Sequence, residues 1–362
     1  DDVISKSERL KKIKQSGGRT TLYGRIDYNK PSYTITTYFN RPGNGTYVHP
    51  VHNRVISVRE AARFQSFCDD YYFIGNKSDM LKQVGNAVPP LLAYQIAKQI
   101  ASKLSVNICL DLFCGAGGMS QGFKHAGFST VMGVDFDQSA CMTYKVNNPE
   151  VEVLCEDLTK SDVKNYIINR AKEQKVDLIC GGPPCQGFSM AGKRFIDDPR
   201  NQLFKEYLHL VENIKPKVFV FENVEGLLTF QNGEIYKQIL DEFSKIGYNI
   251  AARMLKASDY AVPQKRKRII IIGIKNDINV IPEACFPEKI ELDDDIISAR
   301  NAIGDIETIQ CSEDALYSNT SSSLYIKMLR KEISFEEFLD KIRQKSKIGN
   351  IESSKQLSLF AA

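Results

Sequence analysis

The chain lacks the features that would place it in a membrane, in a secretory route or on zinc. None of its apolar runs approaches the ~20 residues that a membrane-spanning helix requires. No basic stretch followed by an apolar segment and a small-residue cleavage site opens it, so secretion is not expected. Only four of its 362 residues are histidine, and its nine cysteines are scattered. Cys180 and Cys185 do not have zinc-ligand spacing, and no His-x-Glu accompanies a Cys-x-x-Cys. No metal site is therefore expected, and a zinc deaminase is disfavoured. Cys109, Cys155 and Cys180 lie in apolar, strand-like runs and read as small buried hydrophobes. A dinucleotide fingerprint is missing as well. After Gly115-x-Gly117-x-x comes Ser120 where a third glycine belongs, which argues against a nicotinamide cofactor.

The composition that is present is that of a globular protein, 43% hydrophobic and 25% charged. Net charge is only +4, but it is unevenly spread. Lys6 to Arg41 holds nine Lys/Arg and two acids, whereas Glu288 to Glu307 holds seven acids and two bases. A basic arm of this kind is a candidate phosphate-contacting surface; by itself it reads equally as a solvated face.

Hydrophobic patterning alternates along the chain. Strands are expected near 107–113, 130–135, 151–155, 176–181, 217–222, 248–255 and 268–274. Helices are expected near 119–126, 138–147, 161–173, 200–213 and 234–246. Such alternation predicts an α/β fold, a doubly wound and mostly parallel sheet with helices on both faces. Ahead of it, Ser57 with Glu60 forms a capping box that opens a helix to about Phe67. Another helix, from about Pro89 to Lys103, feeds through Leu104-Ser105-Val106 into the first strand. Thr34 to Phe39 has a strand-like composition. Ser298 to Ile303 and Phe335 to Lys345 read as short helices, and Arg59, Arg63 and Lys77 as surface residues.

Two strand ends carry chemistry. Gly181-Gly182-Pro183-Pro184-Cys185-Gln186 follows one apolar run, and Glu222-Asn223-Val224 closes another. A thiol on a stiff Pro-Pro turn sits where open α/β sheets keep ligands, with a carboxylic acid on a nearby strand. Taken alone, Cys185 reads rather as an inert buried cysteine, and Glu222 has the alternative of a surface acid; with Pro183-Pro184, Gln186 and Glu222 beside it, Cys185 reads as a functional thiol. The glycines of Phe113 to Gly118, between a strand and a helix, allow close backbone approach to a ligand. Asp135, ending the next strand, is placed to accept from ribose hydroxyls.

These segments together resemble the DNA (cytosine-5)-methyltransferase family. The Pro-Pro-Cys-Gln segment is similar to its nucleophile motif, Glu222-Asn223-Val224 to its second catalytic motif, and Asp111 to Gly118 to its cofactor loop. Gln264-Lys265-Arg266-Lys267-Arg268 is similar to its basic motif, and Gly85-Asn86-Ala87-Val88-Pro89-Pro90 to its last motif. That last motif precedes the cofactor loop here, so the resemblance implies a circular permutation.

The resemblance also implies roles. S-adenosylmethionine would be held by Phe113, Gly115, Gly117, Gly118, Asp135, Phe136, Asp157, Leu158, Pro184 and Leu203, with Asn86, Ala87 and Val88 from the permuted segment. Phe136 would stack on adenine and Asp157 would bond its amino group; the family often has Trp and usually Glu where Phe136 and Asp135 stand. Cys185 would attack cytosine carbon 6, and Glu222 would contact ring nitrogen 3. Gln186, Asn223, Arg266 and Arg268 complete the implied catalytic set. Ser189, Gln264, Thr36, Lys11, Lys12, Lys14 and Arg19 would contact double-stranded DNA. The implied setting is a cytoplasmic bacterial restriction–modification system, with the chain acting as a monomer beside a restriction endonuclease. Residues 51–275 would form the catalytic domain, and 1–50 with 276–362 a small recognition domain. A tRNA cytosine methyltransferase would be expected to show a Cys-Phe-Thr segment, which the sequence lacks. A catalytically silent DNA- or cofactor-binding module remains the other alternative.

Overall fold

The computed structural model describes residues 23–184, 202–294, 296–306 and 323–345. Five short apolar runs pair in parallel: β1 (Ile108–Leu112), β2 (Ser129–Asp135), β3 (Glu152–Cys155), β4 (Leu178–Gly181) and β5 (Val218–Val224). Two longer strands, β6 (Tyr248–Lys256) and β7 (Lys267–Lys275), complete a seven-stranded sheet in the order β3-β2-β1-β4-β5-β7-β6. β7 is antiparallel to both β5 and β6. All seven expected strands are present. Chain order reverses between the neighbours β1 and β4, and this switch point is where such sheets open a crevice at their carboxyl ends.

Alternate residues of each strand supply two separate cores. Cys109, Cys180, Val218, Val220, Ile270 and Ile272 face one layer, while Leu110, Ile179, Phe219, Phe221 and Ile271 face the other. Burial on both faces is why β4 and most of β5 read as unbroken apolar runs rather than alternating ones.

On the first face lie α1 (Val58–Phe64), α2 (Lys77–Asn86), α3 (Pro90–Lys103) and α4 (Gly118–His125). Ser57 and Glu60 form the expected capping box on α1. A second box, Asn76 with Asp79, opens α2, a helix whose polar composition hid it in the sequence. α5 (Gln138–Asn147) links β2 to β3. α6 (Ser161–Glu173), α7 (Gln202–Ile214) and α9 (Glu234–Lys245) cover the second face, with the one-turn α8 (Gly226–Thr229) between the last two.

The ends of the described chain join the first core. α10 (Ala299–Ile303), α11 (Leu324–Leu329) and α12 (335–345) pack there together with Ile26, Ile35 and Phe39. Ala299 N donates to Lys30 O (3.0 Å) and Arg300 N to Tyr28 O (2.8 Å), so the two ends do meet. Among the described residues they share the sheet's core instead of building one of their own.

Three sequence expectations are corrected. Thr34 to Phe39 is not a strand; the neighbouring contact is a lone bridge between Ser32 and Gln264. Cys155 is exposed because it ends β3, the edge strand. Arg63 is fully buried. Its guanidinium donates to Asp69 Oδ1 (2.8 Å) and Oδ2 (2.6 Å), to Asp305 and to Ala302 O (3.3 Å). Arg330 reaches the same Asp305 (2.5 Å), so this ion cluster ties α1 to the C-terminal segment.

Candidate active site

A cavity of about 720 Å³ opens at the carboxyl ends of β1, β2, β4 and β5. Its first wall is the turn between β1 and α4. Cys114 N donates to Val134 O (3.0 Å) and Gly115 N to Asp135 Oδ2 (2.8 Å), which pins the turn to the end of β2. Gly115 has φ +51°, and no atom lies within 4 Å of where its Cβ would be, so the backbone itself faces the cavity. A Cβ on Gly118 would fall 2.3 Å from Val88 O. Its absence lets residues 86–88, the exit of α2, close against the turn.

Asp135 accepts from Asp137 N with its other oxygen (2.9 Å), and each oxygen keeps a lone pair for a ligand donor. Burial pushes its carboxyl above the ordinary range. Phe136 is 77% exposed, an unusual state for a large apolar ring and one that leaves a stacking face at the cavity. Asp157, across the opening, is held below the usual carboxylate range by the Thr159 amide.

A polar stack lies beneath the turn. Tyr144 OH and Ser120 Oγ are 2.6 Å apart, and Ser120 Oγ in turn donates to Asp111 on β1. Burial pushes Asp111 up to about 7, against the lowering effect of the Ser120 and Cys180 side chains; Asp135 repels its charge further. The sign follows from the direction. The folded chain keeps a proton that the unfolded chain releases near pH ~4. Stability from this group is full below that pH and is lost as pH rises through about 7. Asp111→Asn is expected to remove the dependence. The variant's Tm relative to wild type should climb between pH 5 and 8, and an equal offset across that range would refute the assignment.

The opposite wall is built from the ends of β4 and β5. Glu222 and Asn223 are both buried at the end of β5. Asn223 Nδ2 donates to Pro183 O (3.0 Å), so β5 fixes the Pro-Pro turn that leads out of β4. Arg268 Nε lies 2.8 Å from Glu222 Oε1. No hydrogen is directed at that oxygen, so the contact is an ion pair without hydrogen-bond alignment.

Every residue assigned to cofactor binding borders the cavity except Gly117, which starts α4 from behind, against Tyr71 and Tyr144. Glu222, Asn223 and Arg268 border it too. Arg266 does not. It is buried, donating to Ile35 O (3.0 Å) and Gly85 O (2.9 Å), because the approach to β7 runs beneath residues 35 and 85. Gln264 is also buried, donating to Phe64 O (2.9 Å) and Gln65 Oε1 (2.5 Å) and accepting from Ile35 N. Neither side chain is on a surface that DNA could touch. Thr36 is exposed, with its hydroxyl 2.9 Å from Tyr47 OH. Cys185, Gln186, Ser189, Lys11, Lys12, Lys14 and Arg19 lie outside the described residues. Lys82 and Gln83, which sequence reasoning passed over, and Asp111, which it quoted only as the start of the cofactor loop, also line the cavity wall. The signal for Asp111 was a carboxylate inside an apolar strand; Lys82 and Gln83 sit on the helix that composition concealed.

A doubly wound sheet with a glycine turn and an acid at its switch point defines the class of α/β proteins that keep their ligands in the crevice there. Within that class, the chain belongs to the C-5 cytosine-specific DNA methylase family, whose model matches residues 3–102 and 108–358. Type II methyltransferase M1.HphI of Haemophilus parahaemolyticus is 39% identical over 229 residues, 62% of this chain and 60% of that protein. Type II methyltransferase M.DdeI of Desulfomicrobium norvegicum is 40% identical over 207 residues, 56% of this chain and 49% of that protein. The chain thus spans about half to three-fifths of the length of these relatives. A crystal structure of a candidate DNA modification methyltransferase encoded within an E. coli prophage is 30% identical, with TM-score 0.49, over 61% of this chain and 64% of that one.

Proposed function

We propose that this protein transfers a methyl group from S-adenosylmethionine to carbon 5 of a cytosine in double-stranded DNA, as the modification enzyme of a restriction–modification system. One observation carries the reading. A single cavity joins Gly115, Asp135 and Phe136 at one end to an acid, Glu222, and to Pro183 and Pro184, which precede Cys185 in the sequence, at the other.

The residues present fit the cofactor. Open backbone at Gly115 suits close approach, Asp135 offers acceptors to ribose hydroxyls, and Phe136 offers a face to adenine. Asp157 and Leu158 would edge the base, and Asn86, Ala87, Val88, Pro184 and Leu203 the remainder. S-adenosylmethionine supplies an electrophilic methyl group when bound.

The protein's own work is on the cytosine, which must leave the duplex to reach this cavity. The Cys185 thiolate forms a bond to ring carbon 6. The electron pair of the 5,6 double bond moves into the ring as nitrogen 3 takes a proton through Glu222, whose pairing with Arg268 gives way to the incoming base, leaving carbon 5 nucleophilic. Asn223 holds Pro183, two residues before Cys185 in the sequence. Arg268, beside Glu222, supplies positive potential that favours the thiolate. After methylation a base removes the carbon-5 proton, the 5,6 double bond re-forms, the thiolate departs with the electron pair of the carbon–sulfur bond, and nitrogen 3 returns its proton to Glu222.

The test is to incubate the purified chain with methyl-labelled S-adenosylmethionine and duplex DNA of mixed sequence. Label should appear in DNA as 5-methylcytosine, and bisulfite sequencing should place it in one sequence context. Label in tRNA alone, or cofactor binding with no transfer to any nucleic acid, would reject the proposal.

A further inference from the structure

The run Gln264-Lys265-Arg266-Lys267-Arg268 carries four cations, and packing gives them different duties. Arg266 is buried and spent on two carbonyls. Arg268 is paired with Glu222 (2.8 Å) and Lys267 with Glu225 (3.1 Å). Lys265 has no carboxylate partner among the described residues. Its ammonium instead stands 5.7 Å from the centre of the Tyr33 ring, within cation–π range.

Position makes this pair notable. Ser32 N donates to Pro263 O (3.0 Å) and Lys265 N donates to Ser32 O (2.8 Å). Two segments far apart in sequence are thereby locked in register, and lysine and ring are held together by backbone. β7 starts two residues later and runs antiparallel to β5, with Arg268 opposite Val224. Lys265 therefore sits at the carboxyl end of β5, on the same rim as Glu222. Tyr33 is 47% exposed, and Tyr38 (60%) and Thr36 are exposed beside it in sequence. A rim that must admit a base from a duplex must also meet the phosphates on either side of that base.

We propose that Lys265, seated on Tyr33, is the phosphate grip of this rim: a positioning residue that holds the DNA backbone against the mouth of the cavity. The proposal rests on the reading of this site as a DNA methyltransferase. The ring limits where the flexible lysine stem can go, so less freedom is lost when the ammonium meets a phosphate. The grip is blind to base identity, because phosphate contacts carry no sequence information.

The experiment uses the full chain and a fluorescently labelled mixed-sequence duplex, with the dissociation constant measured across a series of salt concentrations. Lys265→Met keeps the apolar stem and removes the charge. It should weaken binding at low salt and make the slope of log affinity against log salt shallower by about one, the share of one neutralised phosphate. Lys265→Arg should keep the wild-type slope. Tyr33→Leu should weaken binding while leaving the slope in place. S-adenosylmethionine affinity should stay at the wild-type value in all three, which separates loss of the grip from loss of the fold. A wild-type slope in Lys265→Met would overturn the proposal. If the wild-type chain itself bound duplex with no salt dependence, the DNA reading would fail on that curve alone, and the grip with it.

Discussion

Cys185→Ser is expected to abolish methyl transfer while leaving cofactor affinity and the unfolding transition at wild-type values. A serine hydroxyl is a much weaker nucleophile unless a dedicated base takes its proton. Among the described residues bordering the cavity there is no histidine, and Glu222 is engaged with Arg268. The loss should be at least ~100-fold in turnover, equivalent to ~2.7 kcal/mol of transition-state stabilisation. DNA carrying 5-fluorocytosine gives a second measurement. Fluorine at carbon 5 cannot be removed as a proton is, so a protein–DNA adduct stable to denaturing electrophoresis should accumulate with wild type and be missing with the variant. Turnover near wild type in Cys185→Ser, or an adduct formed without Cys185, would remove this residue from the mechanism.

The largest effect on stability is expected at Arg63. Burial would lower its pKa, but hydrogen bonds to Asp69 and Asp305 outweigh burial and hold the guanidinium above its usual range. It therefore stays charged in the core, matched by two carboxylates. Arg63→Met leaves Asp69 and Asp305 without that partner, and removing one member of a buried cluster costs about 3–5 kcal/mol. A single domain has about 5–15 kcal/mol in total, so the variant should be marginal at ambient temperature. Urea unfolding followed by circular dichroism measures this directly. Adding Asp69→Asn and Asp305→Asn to Arg63→Met should recover part of the loss, because the stranded charges go with the cation. A loss below about 1 kcal/mol in the single variant would mean that water reaches the cluster and that its ties between the N- and C-terminal segments contribute little.

The two expectations differ in how they were reached. Cys185 is an expectation drawn from its neighbours: a Pro-Pro pair after an apolar strand, with glutamate ending another. Arg63 was not legible in this way. In the sequence it is one more polar position on an amphipathic helix, and it was read as surface. Its burial depends on residues 69, 302 and 305, and the last two reach it only after the chain has crossed the whole sheet.

Local patterning settled the order of strands and helices. Apolar period and cap residues act over a few positions, so the seven strands and the helices on both faces followed from sequence, as did the glycine turn and Asp135 at a strand end. The irregular and polar stretches did not follow. Thr34 to Phe39 has strand composition but finds no strand to pair with, and α2 is marked only by its cap. Least legible was the division of labour in Gln264 to Arg268. Five adjacent polar residues look alike in a sequence. Burial beneath residues 35 and 85, acids on β5 and the turn after it, and one tyrosine from the N-terminal segment send them to different tasks. Desolvation and partner distance decide a charged side chain's role, and both are set by distant segments, 42 positions away for Lys267 and 231 for Arg266. The sequence alone determined the family to which this chain belongs, because motifs are local; the tertiary structure decided which of its charges stay exposed, because burial and partners come from distant segments.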